Sequence, residues 1–352
     1  MMFKCIVVTV SLLLLVISAK SRIKITNNGY TEVVVAIDPD IKHVEGEPLI
    51  DKIKQLFTSG SAALLTATRN RSYFKEITIL VPKSWPKKSN RSIASYEVFS
   101  QADVRIQRAN PLEGDRPYTL QPYPCENPGR YIHLTPNYLR QLKDKSTEKF
   151  GDPGMIEKYE KLFTGQLMSD DDCSIGRTIV HEWAHLRYGI FDEYAEITRL
   201  ETFPAFYRDP QSEEILPNAC ANEKLVGKRW NAVTKQDCGN SPSILPSKDC
   251  IFVVDKNQND KVTSSIASYH FLPNARTFCD DTDEYRHNRH APNRHNRMCN
   301  GRSTWNVITS HEDFKNTNLP NDILNTEPNF KIVYEDEATI SLVLDTSGSM
   351  ES

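Results

Sequence analysis

Arg177-Thr178-Ile179-Val180-His181-Glu182-Trp183-Ala184-His185-Leu186-Arg187-Tyr188-Gly189-Ile190-Phe191-Asp192-Glu193 carries the pattern His-Glu-x-x-His. Residues four apart share one face of a helix, so His181 and His185 can grip a single metal ion. Glu182 stands one position round from His181, within reach of a water beside that metal. Ile179, Val180, Trp183, Ala184 and Leu186 supply apolar faces, and Gly189 predicts the helix end, because glycine turns left-handed at little cost. Asp192 and Glu193 follow the turn, and either carboxylate can swing back as a third ligand. Motif, helix, glycine stop and nearby carboxylate together predict a zinc site of the protease type, in preference to a surface helix with two solvated histidines.

Upstream, the chain opens with Lys4 and an apolar run from Cys5 to Ile17, then small residues at Ser18, Ala19 and Ser21. This predicts a secretory leader over residues 1–21, shorter than the about 20 apolar residues that span a bilayer. No later segment reads as a membrane span, so the chain is not expected to form a channel itself. Of eight cysteines, Cys5 leaves with the leader; the other seven, an odd number, are expected to be mostly disulfides in an oxidising compartment. Asn70-Arg71-Ser72 and Asn90-Arg91-Ser92 are glycosylation acceptors at Asn70 and Asn90. The net charge of −3 on 352 residues gives no sign of a nucleic-acid partner.

Residues 32–37, 73–81, 103–106 and 131–134 read as strands, and 48–68 as a helix with apolar residues at Leu49, Ile53, Leu56, Phe57, Leu64 and Leu65. That order predicts an α/β (α+β) domain over residues 22–200, with a mixed sheet and the histidine helix beneath it. His133 falls in a strand and is expected to be a satisfied structural histidine. Residues 201–310 are polar and punctuated by proline, and hold five of the seven remaining cysteines, which predicts a disulfide-held subdomain. Its basic run, with His287, His290 and His295, reads as a solvated loop rather than a second metal site. Residues 311–336 are expected to be a linker. An apolar strand then leads into Asp345, Ser347 and Ser349, the Asp-x-Ser-x-Ser loop of a metal-ion-dependent adhesion site that takes Mg2+ or Ca2+. With only 337–352 of such a domain present, this site is expected to be incomplete and the chain a truncated product or fragment.

The run from His181 to Tyr194 resembles the signature of the calcium-activated chloride channel regulator family. So do Asn27-Asn28-Gly29-Tyr30, Val35-Ala36-Ile37-Asp38-Pro39, Ile132-His133-Leu134-Thr135-Pro136, Arg302-Ser303-Thr304-Trp305 and Glu312-Asp313-Phe314-Lys315, in the family's order. The resemblance implies a metzincin-like protease domain followed by the start of a von Willebrand factor A domain, self-cleavage, and a link to calcium-activated chloride conductance. The usual metzincin places glycine three and histidine six residues after the second histidine; here Gly189 is four and Asp192 seven residues after His185. The family's ligand position therefore falls on Asp192, leaving Glu193 as an outer hydrogen-bonding residue. A distant glutamate such as Glu201 or Glu213 would need an amphipathic helix after residue 195, and Phe203-Pro204 with Asp209-Pro210 breaks the chain there. Family members tend to read Ser-Ile-Met where this chain has Ser265-Ile266-Ala267, so the methionine expected beneath the metal is missing. The expected function is a secreted zinc metalloprotease that cleaves peptide or protein substrates, with Zn2+ on His181, His185 and Asp192 and Glu182 as general base. The alternative is a secreted, non-enzymatic channel regulator that uses the protease fold as a scaffold.

Overall fold

A computed structural model describes residues 22–142, 172–239, 241, 244–255, 258 and 261–336. The expected leader at 1–21 and the segment 337–352, with Asp345, Ser347 and Ser349, lie outside the described residues.

Val33–Ile37 is a run of five aliphatic residues, all buried, and it is the middle strand of a seven-stranded sheet. An unbroken aliphatic run suits a parallel strand covered on both faces. From one edge the order is Ser92–Ile93, Asn329–Tyr334, Glu76–Val81, Val33–Ile37, Val104–Ile106, Tyr131–Leu134, Tyr118–Leu120. All neighbours are parallel except the last, where Tyr118–Leu120 runs antiparallel to Tyr131–Leu134. Side chains alternate as strand geometry requires. Val33, Val35 and Ile37 enter the main core with the helices, while Val34 and Ala36 join Leu80 and Val333 in a small cluster on the other face.

The helices Leu49–Ala67 and Asp172–Tyr188 pack against each other on the main-core face. Their crossing is close because both are glycine there. A Cβ on Gly176 would collide with the Ser59 carbonyl, and one on Gly60 with the Ile179 side chain. A side chain can swing away; a helix backbone cannot. Gly176→Ala is therefore expected to destabilise by about 1–3 kcal/mol through overpacking, and Gly60→Ala by clearly less, measured as thermal unfolding of each variant. Equal losses would show that the crossing is not backbone-limited.

Two expectations need correction. The stretch 311–336 is not a linker throughout: Asn329–Tyr334 is inserted into the sheet beside Glu76–Val81, in register from Asn329↔Glu76 to Tyr334↔Val81. The limit at residue 310 is likewise no packing boundary. Ile266, Ala267, Phe278, Cys299, Val307, Ile308 and Phe314 share the main core, while Phe206, Ile215, Phe252, Val254 and Tyr269 form a separate small one. Among the described residues three disulfides, Cys125–Cys299, Cys220–Cys279 and Cys238–Cys250, use six of the seven cysteines downstream of the leader. Among the described residues no helix is long and apolar enough to cross a membrane.

A buried polar network locks the end of the histidine helix to both ends of the domain. Arg187 donates from Nε and Nη2 to Asp313 at 2.7 and 2.6 Å, and Tyr30 Oη donates to Asp313 Oδ2 at 2.7 Å. Burial alone would raise the Asp313 carboxyl, but Arg187 and His311 outweigh it and hold it well below the ordinary carboxylate range. Asp313→Ala strands the buried Arg187 charge, so a loss of about 3–5 kcal/mol is expected at neutral pH. The folded pKa lies below the unfolded one. The stabilisation is therefore complete above about pH 4 and disappears as pH falls through the folded value. Denaturant unfolding of both proteins should show the gap narrowing on acidification; a gap constant down to pH 2 would rule out the ion pair as its source.

Candidate metal centre

The histidine helix ends at Tyr188, and Gly189 follows at φ +67° with its Cα packed on the Asn127 backbone, where a Cβ could not fit. The chain reverses there and brings Asp192 back over the last two turns of the helix. His185 Nε2 lies 3.1 Å from His181 Nε2, and both lie 3.2 Å from Asp192 Oδ1. His181 Nδ1 donates to the Ile266 carbonyl at 2.8 Å and His185 Nδ1 to the Ile190 carbonyl at 2.7 Å. A carbonyl can only accept, so each Nδ1 carries a proton and each Nε2 faces inwards, with a lone pair to offer to a cation that displaces any proton there. Three lone-pair donors thus face one another. Tetrahedral zinc with bonds of about 2.0–2.2 Å separates its ligand atoms by about 3.3–3.5 Å, so this triangle fits the ion with a small expansion.

The electrostatics of the centre favour a cation. Burial disfavours a charged His181, yet the Asp192 carboxylate, backed by Glu182, outweighs it and raises the ring to about 9. Burial pushes the Asp192 carboxyl up, and the two histidines more than reverse this and hold it well below its usual range.

Glu182 is buried on the cleft side of the helix. The Thr119 hydroxyl lies 2.8 Å from its Oε2 and 2.9 Å from its carbonyl oxygen, and with one proton it serves one of them at a time. Thr119 belongs to the antiparallel edge strand Tyr118–Leu120, which walls a cleft of about 520 Å³. Ser268–Phe271, His181, Glu182, His185 and Asp192 also line it.

Other sequence-chosen residues fall elsewhere. Glu193 is fully buried and points away from the cleft: His287 Nδ1 lies 3.0 Å from its Oε1, and the Thr304 hydroxyl donates to Oε2 at 3.3 Å. Glu193 also approaches Cys220 and Cys279, but those sulfurs are bonded to each other and offer no thiolate. Glu201 pairs with Lys248 at the surface. Asn70 and Asn90 are exposed. His133 is buried outside the metal group, its ring stacked on Tyr118 at 4.7 Å and its Nε2 3.2 Å from the Arg108 carbonyl. The basic run is not a solvated loop. His287 and His295 are buried, and only His290 of the three histidines is exposed.

Several residues escaped the sequence reading. Thr119 is one. His270 is another: its ring lies 4.5 Å from that of His181, and burial and then the neighbouring charge of His181 hold it well below its ordinary pKa, hence neutral. Burial and the Asp192 charge push the Tyr194 phenol well above its ordinary value, so it stays a donor. Residues 265–268, where the expected methionine is Ala267, form a turn against the histidine pair. Ser268 N–H bonds the Ser265 carbonyl at 2.9 Å, Ile266 O holds His181, and the Ala267 carbonyl accepts from Glu193 N at 2.8 Å. That turn works through backbone atoms, which tolerate alanine.

The family model described as "Calcium-activated chloride channel N terminal" matches residues 23–162 and 147–320. Calcium-activated chloride channel regulator 1 of Bos taurus is 35% identical over 339 residues, covering 94% of this chain and 33% of the relative. The Homo sapiens regulator 1 is 34% identical over 332 residues, covering 94% and 32%, and Homo sapiens regulator 4 is 34% identical over 355 residues, covering 99% and 34%. The chain spans about a third of the length of these relatives. No solved structure matches it.

Proposed function

Because this chain belongs to the calcium-activated chloride channel regulator family, and because His181, His185 and Asp192 aim lone pairs at one point beside Glu182, we propose that it is a zinc-dependent peptidase domain. That convergence is the observation that carries the reading. Zinc held by these three residues would supply a Lewis acid and lower the pKa of a water. The protein does the rest. The Ile266 and Ile190 carbonyls hold a proton on each Nδ1 and so aim both Nε2 atoms at the same point. The Thr119 hydroxyl holds Glu182 in the cleft, where its carboxylate takes a proton from the attacking water and returns it to the leaving amine. The edge strand Tyr118–Leu120 offers backbone groups on which an extended peptide can pair across the cleft.

Three disulfides suit secretion, and Asn70 and Asn90 are exposed enough to carry glycans. The relatives are named as regulators of calcium-activated chloride channels; a role for this domain in that regulation, through cleavage of itself or a partner, extends the proposal. A second reading draws on those same names and on Ala267: a regulator in which the centre is structural and cleaves nothing. Elemental analysis of the purified chain, with mass spectrometry of a peptide library incubated with and without 1,10-phenanthroline, separates the two. About one equivalent of zinc with chelator-sensitive cleavage supports the peptidase; absence of cleavage by the zinc-loaded chain supports the regulator alone.

A further inference from the structure

Asp192 stands on a loop beyond the end of its helix, and two segments remote in sequence hold that loop from opposite sides. The first is 125–129. Gly129 N–H caps the helix at the Leu186 carbonyl (2.9 Å) and the His185 carbonyl (3.3 Å), and Glu126 N–H bonds the Gly189 carbonyl at 3.3 Å. The second is the short helix Arg294–Met298 with Cys299 behind it. His295 N–H donates to the Asp192 carbonyl at 3.1 Å, and Phe191 N–H donates to His295 Nδ1 at 3.2 Å. His295 Nε2 lies 2.9 Å from the Arg302 carbonyl, so that nitrogen carries the proton and Nδ1 is free to accept. His295 is fully buried. The Cys125–Cys299 bond joins the two segments directly, with Cys299 Sγ 3.6 Å from His295 Nδ1.

We propose that the Cys125–Cys299 disulfide and His295 form a positioning clamp for Asp192, which sets the metal affinity of the centre. Two ligands, His181 and His185, are fixed by their own helix. The third is fixed only if the loop is: the backbone bonds of Gly189, Phe191 and Asp192 run to the bridged segments, and that of Glu193 to the Ala267 carbonyl. Cys220–Cys279 approaches the loop only at the Glu193 side chain, and Cys238–Cys250 lies elsewhere. The inference rests on the reading of His181, His185 and Asp192 as zinc ligands.

The test is the zinc dissociation constant of the full chain, by competition with a chromophoric chelator at a temperature where circular dichroism shows every variant folded. Cys125→Ser/Cys299→Ser and His295→Leu are expected to weaken zinc by about ten- to a hundredfold, the range for removal of groups that orient a ligand. His295→Asn, whose side-chain oxygen can replace Nδ1 as acceptor, and Cys238→Ser/Cys250→Ser are expected to stay within about threefold of wild type. A clamp that merely stabilised the fold would lower thermal stability and leave the dissociation constant unchanged, and that result overturns the proposal. Equal affinities for the His295→Leu and His295→Asn variants overturn it too. That pair decides the matter if the double cysteine variant does not fold. Wild type that holds no zinc at all instead defeats the underlying ligand assignment, so the two failures are distinct.

Discussion

Glu182→Gln is expected to reduce peptide cleavage by at least about a hundredfold, the low end for loss of a general base, while zinc content stays at the wild-type level. The substitution is nearly isosteric. The Gln carbonyl oxygen can still accept from the Thr119 hydroxyl, which now lies 2.8 Å from Oε2, so the helix and the edge strand should stay joined. What disappears is a group that accepts a proton. His181 and His185 keep their carbonyl partners, and with Asp192 their mutual spacing, since Glu182 is no part of that triangle. Turnover and zinc should therefore part company: initial rates on a cleaved peptide fall, and elemental analysis does not change. Turnover within a few-fold of wild type would remove Glu182 from the chemistry and leave His270, whose ring lies 4.5 Å from that of His181, to be tested in its place.

The centre was legible where it is local. A helix repeat puts His181 and His185 on one face, and a glycine four residues on turns the chain; both follow from sequence distance alone. The strands Val33–Ile37 and Glu76–Val81 were legible for the same reason, as continuous or alternating apolar runs. What supports the centre comes from far away and leaves no local mark. Thr119 is one threonine among many until its strand is placed beside the helix. Ile266 acts through its carbonyl oxygen, which every residue has. Asn329–Tyr334 alternates Phe330, Ile332 and Tyr334, a strand pattern in principle, but it lies in a stretch rich in Asn, Asp and Pro, and its parallel partner is some 250 residues earlier. The run around His287 and His295 misled for a different reason. Its charge suggested solvent, whereas Glu193 draws His287 inside and the ligand loop draws His295. Composition describes a segment's average, and these two rings answer to partners about a hundred residues away.

Those partners separate Asp192 from its neighbour, and the separation can be measured. Asp192→Ala should cost more zinc affinity than the about 10- to 100-fold lost with an outer-shell group, because it deletes a ligand and leaves two imidazoles. It should leave the fold nearly intact, since the Asp192 side chain touches the histidines and the cleft, and its backbone bonds to His295 survive. Glu193→Ala should do the reverse. Its carboxylate lies outside the triangle and binds His287 and Thr304 in a fully buried position; removal leaves the Thr304 hydroxyl on the Cys279 carbonyl but takes the partner from His287 Nδ1, and costs about 1–3 kcal/mol of stability. Zinc binding should drop far less than in Asp192→Ala, because the Glu193 backbone N–H still bonds the Ala267 carbonyl. Glu201→Ala removes a surface pair with Lys248 and should change neither quantity. The pattern to look for is a crossing: elemental analysis after dialysis singles out Asp192, and denaturant unfolding of the zinc-free proteins singles out Glu193. If Asp192→Ala retains a full equivalent of zinc and Glu193→Ala does not, the third ligand has been misassigned, and with it the direction from which the loop approaches the metal.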